Sequence, residues 1–225
     1  MAIKKNVKRG DHKLIVASTP QSYEAEQFRN LRTSINLQTK NQRVNSIVIT
    51  SPSYSEGKTT TAVNLSAVFA EEGKKVLLID ADMRKPTVHQ IFNQQNIHGL
   101  SNVLNQQISF ENAIKPSSIQ GLKILTGGSI PPNPVELLAS HTMDELIATL
   151  NTAYDLVIFD SPPVLYLSDA QLLADKCHCS ILVINSQGTE KTLALKAKEI
   201  LDISESKLLG AVLNNYKAPI NGMKA

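Results

Sequence analysis

The decapeptide Ser-Pro-Ser-Tyr-Ser-Glu-Gly-Lys-Thr-Thr at 51–60 follows the apolar run Ile47-Val48-Ile49. Its last residues, Gly57, Lys58 and Thr59, fill the second half of the pattern G-x-x-x-x-G-K-[ST]. In that pattern glycine lets backbone amides turn inward onto phosphate, the lysine reaches the β- and γ-phosphates, and the hydroxyl ligates magnesium. Ser55, Glu56, Gly57, Lys58, Thr59 and Thr60 are thus candidate phosphate ligands. The first half departs from the pattern: Pro52 stands where the first glycine would be, and Tyr54 and Ser55 replace small residues. Gly-Lys-Thr also occurs in ordinary turns, so the reading leans on two later segments. Lys-Val-Leu-Leu-Ile-Asp-Ala-Asp-Met-Arg at 75–84 and Leu-Val-Ile-Phe-Asp-Ser-Pro-Pro at 156–163 are apolar runs that reach aspartate.

In an open parallel sheet, ligands bind at the carboxyl ends of the strands, so Asp80, Asp82 and Asp160 are expected to face the phosphates. Carboxylates beside phosphates make electrostatic sense only with a cation between them. Magnesium prefers oxygen ligands and keeps several waters, which makes Thr59, Asp80, Asp82 and Asp160 its candidate ligands. A lone aspartate would more simply cap a turn; three aspartates at strand ends beside a Gly-Lys-Thr loop are harder to explain that way.

These groups need a scaffold, and the hydrophobic pattern supplies one. Short apolar runs at 47–50, 75–80, 122–125, 156–160, 180–184 and 208–213 alternate with helical patterns near 58–71, 134–150, 168–176 and 189–203. That alternation predicts an α/β fold of the P-loop NTPase-like kind, with a mostly parallel central sheet and helices on both faces. The polar stretch 86–121 is expected to carry two short helices. Before the first strand, Ala25, Phe28, Leu31 and Ile35 recur at helical spacing, with Ser22 in the N-cap region. Glu26, Arg29 and Arg32 are spaced by three along another side of that helix, which composition alone reads as a solvated charged face.

A length of 225 residues suits one compact domain. The expected division is a basic leader at 1–20, a single domain at 21–216 and a short tail at 217–225. No run approaches the roughly 18 apolar residues of a spanning helix, and no apolar signal block opens the chain, so a cytoplasmic location is expected. A net charge of +3 and 4% aromatic residues argue against nucleic acid as a partner. Lys4, Lys5, Lys8, Arg9 and Lys13 suit either a solvated terminus or contact with an anionic membrane. Cys177 and Cys179 read as small apolar fillers leading into a strand, and His178 would need metal ligands from elsewhere.

Taken together, the motifs resemble the bacterial tyrosine kinases of capsule and exopolysaccharide systems. The resemblance rests on the loop at 51–60, on Leu-Leu-Ile-Asp-Ala-Asp-Met-Arg, on Val-Ile-Phe-Asp-Ser-Pro-Pro, on the E-x-x-R-x-x-R of Glu26, Arg29 and Arg32, and on Gly-Gly-Ser-Ile-Pro-Pro at 127–132. It covers about 24–215 and is closest to the Gram-positive form, in which the kinase is a separate cytoplasmic chain. It implies ATP and Mg2+ as cofactors, tyrosines of proteins as substrates, and a counteracting phosphotyrosine phosphatase. It also implies a transmembrane activator of polysaccharide co-polymerase type that recruits the kinase to the inner face of the membrane.

Phosphoryl transfer asks for positioning, charge neutralisation and a proton acceptor. Asp82 is the first choice for activating the acceptor tyrosine, with Asp80 shared between base and metal roles and Lys58 on the transferring phosphate. Arg84 suits either a phosphate clamp or a structural ion pair. The resemblance places Thr60 at the α-phosphate, Asn214 at the adenine edge, and Glu26, Arg29 and Arg32 at a subunit interface of a homo-oligomeric ring. Members of the family commonly end in a tyrosine cluster, whereas this tail offers Tyr216 alone as a phosphosite; Tyr23, Tyr54, Tyr154 and Tyr166 read as packing residues. Two rivals share the fold: a partition-type ATPase switch, which would carry lysine where Ser53 stands, and an ATP-binding export scaffold with little kinase activity.

Overall fold

The computed structural model describes residues 14–216. The basic cluster from Lys4 to Lys13 and the tail after Tyr216 lie outside the described residues. Among the described residues seven strands form one sheet: β1 (Ser46–Thr50), β2 (Val76–Asp80), β3 (Lys115–Pro116), β4 (Leu122–Leu125), β5 (Leu156–Asp160), β6 (Cys179–Asn185) and β7 (Lys207–Asn214). Their order is β3-β4-β2-β5-β1-β6-β7, and every pairing is parallel except β3 with β4. The central strands β1, β2 and β5 are buried at every residue, as unbroken apolar runs covered on both faces must be.

Side chains alternate along each strand, so each run feeds two cores. Val48, Leu77, Ile79, Val157 and Phe159 face one core, and Ile47, Ile49, Val76, Leu78 and Ile158 face the other. The second core is closed by α2 (Tyr23–Gln38) and α3 (Lys58–Glu71). The same parity puts Asp80, two residues after Leu78, and Asp160, two after Ile158, on the α3 side of the sheet. Periodicity thus aims both carboxylates at the helix that follows the loop.

The expected strands appear within a residue or two of their predicted limits. Only the two-residue β3 escaped the pattern, being too short to show any period. The expected helix at 134–150 is two helices, α7 (Pro134–Ala139) and α8 (His141–Ala153). Ser140 divides them: its hydroxyl donates to the Leu137 carbonyl at 2.7 Å and accepts from the Met143 amide at 3.3 Å. The 86–121 stretch holds three short helices rather than two: α4 (Val88–Ile91), α5 (Leu100–Leu104) and α6 (Phe110–Ala113). The first core is completed by α9 (Asp169–Lys176) and α10 (Lys191–Ile203). An unforeseen turn of helix, α1 (Ile15–Ser18), lies in the segment expected to be leader; its Val16 is buried, and the Val16 amide donates to Asn64 Oδ1 at 2.9 Å.

Ser22 caps α2 as expected, accepting from the Ala25 amide at 3.1 Å. Ala25 and Ile35 are buried, while Arg29 and Arg32 reach across to the end of α3. Arg32 Nη1 donates to the Val68 carbonyl at 2.8 Å, one of the last carbonyls of α3, which lack partners within their own helix. Cys177 and Cys179 are buried free thiols, and burial pushes Cys177 up to about 12.

Candidate active site

The chain leaves β1 at Thr50 and enters α3 at Lys58 through a loop whose turn is made by Ser55, at φ 62°, and Gly57, at φ 99°. Glycine at 57 answers two demands, the left-handed backbone and space, because a Cβ there would stand 2.1 Å from Asn214 Nδ2. No side chain caps the start of α3, so its first amides and the positive end of its dipole open toward the loop interior.

A strut holds this loop from within the protein. Glu56 is 2% exposed. Its Oε1 accepts the Ser53 amide at 3.1 Å, while Oε2 accepts the Asn185 amide at 2.7 Å and the Thr189 hydroxyl at 2.6 Å. From the end of β7, Asn214 Nδ2 donates to the Glu56 carbonyl at 2.9 Å. Two residues expected to touch nucleotide, Glu56 and Asn214, therefore engage these side-chain atoms within the protein, Glu56 with Ser53, Asn185 and Thr189, and Asn214 with the loop. Asn185 and Thr189, the remote partners of Glu56, lie 129 and 133 residues further along the chain, where no local pattern marks the contact.

Asp80 is fully buried, and its register partner on β5 is Asp160, itself 1% exposed. Asp80 Oδ2 accepts the Thr87 and Val88 amides at 2.8 and 2.9 Å, whereas Oδ1 is buried with no hydrogen bond. Burial, then the neighbouring Asp160 charge, raises the Asp80 carboxyl well above the usual range. An oxygen left unsatisfied between carboxylates is a place for a hard cation, which removes both penalties at once. Thr59, at the head of α3, supplies a hydroxyl that lies 3.2 Å from Thr87 Oγ1. Among the described residues no group of three His, Cys, Asp or Glu is set to hold a metal ion by itself. The donor set therefore fits a magnesium ion completed by phosphate oxygens and water, not an all-protein cage.

Lys58 is buried, and desolvation lowers its pKa against the pull of Asp160, Asp82 and Glu56. Those charges favour the ammonium form. Asp82, beyond the end of β2, is partly buried; desolvation raises its carboxyl, opposed by the Lys85 amide, which donates to Asp82 Oδ1 at 3.0 Å. A carboxylate with raised basicity at the mouth of a phosphate site can take a hydroxyl proton.

Arg84 resolves toward the second of its alternatives. Its Nε donates to Asp169 Oδ1 at 3.2 Å and its Nη2 to Oδ2 at 3.5 Å, and Asp169 is completely buried at the start of α9. In the sequence Asp169 carries no sign of this partner, because an acid in a first helical turn is already favourable there. Arg29 pairs with Glu26 at 3.3 Å and Glu71 at 3.6 Å, and Arg32 with Glu72 at 3.8 Å, so the arginines of the E-x-x-R-x-x-R helix have partners within the chain. Tyr216 is 60% exposed. The expectation of packed tyrosines fails for Tyr23, Tyr54 and Tyr166, which are 72%, 45% and 59% exposed; Tyr154 does pack against the core.

The AAA domain family matches residues 44–197. Tyrosine-protein kinase YwqD of Bacillus subtilis (strain 168) is 49% identical over 218 residues, 96% of this chain and 92% of that protein. The crystal structure of the chimerical protein CapA2B2 superposes with a TM-score of 0.88 at 41% identity, covering 92% of this chain and 91% of that one. The kinase domain of Escherichia coli tyrosine kinase ETK superposes with a TM-score of 0.89 at 31% identity, covering 100% and 86%.

Proposed function

Because the chain belongs to the bacterial tyrosine kinases, which transfer phosphate from ATP to protein tyrosine, we propose that Lys58, Thr59, Asp80, Asp82 and Asp160 carry this transfer here. We propose its setting as capsular or extracellular polysaccharide synthesis and export. The observation that carries the residue assignment is the unsatisfied, buried Asp80 Oδ1 beside Asp160 at the head of the Lys58 helix.

The loop amides from Ser55 to Thr60 and the open start of α3 bind the nucleotide phosphates. Thr59, Asp80 and Asp160 hold magnesium, directly or through its waters, with Asp82 at the rim. Bound there, magnesium neutralises charge on the terminal phosphates. Lys58 orients the γ-phosphate, and Glu56 and Asn214 keep the loop in shape for it. Asp82 accepts the proton of the acceptor hydroxyl. Arg84 positions the segment after β2 by anchoring it to Asp169.

The domain limits expected from the sequence, 21–216 between a leader and a short tail, stand as part of this reading, widened at the front to include α1. No helix among the described residues is long and apolar enough to cross a membrane. We place the chain in the cytoplasm, brought to the inner face of the membrane by a transmembrane adaptor of co-polymerase type. A homo-oligomeric ring uses the outer side of α2, where the Glu26 side chain is 59% exposed; Tyr216 is the tail acceptor, and a phosphotyrosine phosphatase reverses the reaction.

Asp82→Asn tests the assignment. It is expected to bind magnesium-ADP as the native chain does, because the amide is nearly isosteric, and to lose phosphotyrosine formation about 100-fold or more. Asp160→Asn should instead weaken nucleotide binding at limiting magnesium. Retained transfer by Asp82→Asn would reject Asp82 as the base.

A further inference from the structure

Tyr54 and Tyr166 have no part in the scheme above, yet they stack on one another at its mouth. Their ring centroids are 5.7 Å apart with planes inclined by 28°, and both rings remain substantially exposed. One comes from the loop after β1 and the other from the segment after β5, so their meeting is a product of the fold. Lys85, from the segment after β2, holds its Nζ 4.8 Å from the Tyr54 centroid and is exposed. In a chain with five Tyr, five Phe and no Trp, an exposed aromatic pair under a cation is an uneconomical way to finish a surface.

Its position decides which ligand it can meet. Lys58 Nζ lies 6.0 Å from the Tyr54 centroid. Since that lysine approaches the β- and γ-phosphates, the stack lies at the transfer end of the nucleotide and not at its base. On the other side, the Lys85 amide is bonded to Asp82, the proton acceptor. Tyr54, Lys85 and Asp82 therefore surround the path by which an acceptor hydroxyl must arrive.

Resting on the kinase reading, we infer that Tyr54, Tyr166 and Lys85 form the binding site for an exogenous protein acceptor, taking a tyrosine-bearing segment with acidic flanks, which the chain's own Tyr216, followed by Lys217, does not offer. The paired rings receive the aromatic ring or its apolar neighbours, and Lys85 draws the acidic flank. An acceptor of this kind is selected by chemistry in place of an exact sequence.

The probe is a fluorescent random copolymer of glutamate and tyrosine, titrated by anisotropy onto the full chain saturated with magnesium-ADP, so that turnover is not required. Tyr166→Ala is expected to weaken copolymer binding about fivefold to tenfold, on the scale of one lost aromatic contact. Tyr166→Phe should restore it, and Lys85→Gln should weaken it and flatten its salt dependence. ADP affinity should remain native in all three. Equal copolymer affinity in Tyr166→Ala and Lys85→Gln would overturn the inference. So would a parallel loss of ADP affinity, which would give the stack to the nucleotide, or phosphotyrosine mapped on Tyr54 or Tyr166, which would make them acceptors. A native chain that binds the copolymer through these residues but never phosphorylates protein with its activator would sink the kinase assignment and leave the site standing.

Discussion

Replacing Glu56 by Gln asks whether the phosphate loop is shaped by the protein before any ligand arrives. The buried Glu56 carboxylate receives the Ser53 amide on one oxygen and the Asn185 amide and Thr189 hydroxyl on the other. Glutamine keeps one oxygen. Turned toward Asn185 and Thr189, it sets its own amide against the Ser53 N–H, so a buried donor faces a donor. A hydrogen bond to an ionised acceptor contributes about 1.5–3 kcal/mol, and a stranded donor costs about 1–3 kcal/mol. Relief of the buried charge offsets part of this, leaving a net loss of about 2–4 kcal/mol. At about 2–4 °C per kcal/mol for a chain of this size, Tm should fall by about 4–16 °C in scanning calorimetry. Two effects then compete at the nucleotide: removing a negative charge favours phosphate, and loosening the loop opposes it. Glu56 is the weakest of the three carboxylates acting on Lys58, so loosening should win. Magnesium-ADP affinity, measured by titration calorimetry, is expected to drop about tenfold, equivalent to about 1.4 kcal/mol. A Tm within about 2 °C of native together with equal or tighter ADP binding would refute the strut.

Arg84→Met should destabilise the fold by about 2–3 kcal/mol in urea, because it strands the buried Asp169 charge; the partial exposure of Arg84 puts it below the usual cost of breaking a buried pair. Full stability with lost transfer would return Arg84 to the phosphates. Desolvation raises the Asp82 carboxyl of the metal-free chain, so its NMR titration should lie above about 3.9, the ordinary aspartate value, and a midpoint at that value would contradict the raised basicity. Bound magnesium draws the carboxyl down again, so in the working enzyme transfer should fall only at a lower pH than that titration. For the ring, Glu26→Lys is a cleaner probe than changing the arginines, which also tie α2 to α3; light scattering should show a shift toward monomer with ADP binding intact. An unchanged mass would return Glu26 to the solvated face that composition suggests.

The sequence by itself determined the parts governed by local rules. Unbroken apolar runs specified doubly covered strands, and Gly57-Lys58-Thr59 between a strand and a helix specified the phosphate loop. Strand parity and the strand-end rule together brought Asp80 and Asp160 to the α3 side. The capping function of Ser22 was also legible, since its partner lies three residues away.

Only the tertiary structure decided what depends on partners remote in the chain. The sequence left open what the Glu56 and Asn214 side chains bind; the assembled sheet gives the Glu56 carboxylate to Asn185 and Thr189 and sets Asn214 Nδ2 on the Glu56 carbonyl. Arg84 could not choose between phosphate and carboxylate without the position of Asp169. Tyr54 and Tyr166 read as packing residues because aromatic side chains near strands usually are buried; the parallel order of β1 and β5 instead brings their loops together at the rim. Hydrogen-bond direction and aromatic contact act over a few ångströms, and separations of 112 residues along the chain close to that range only when the sheet is assembled.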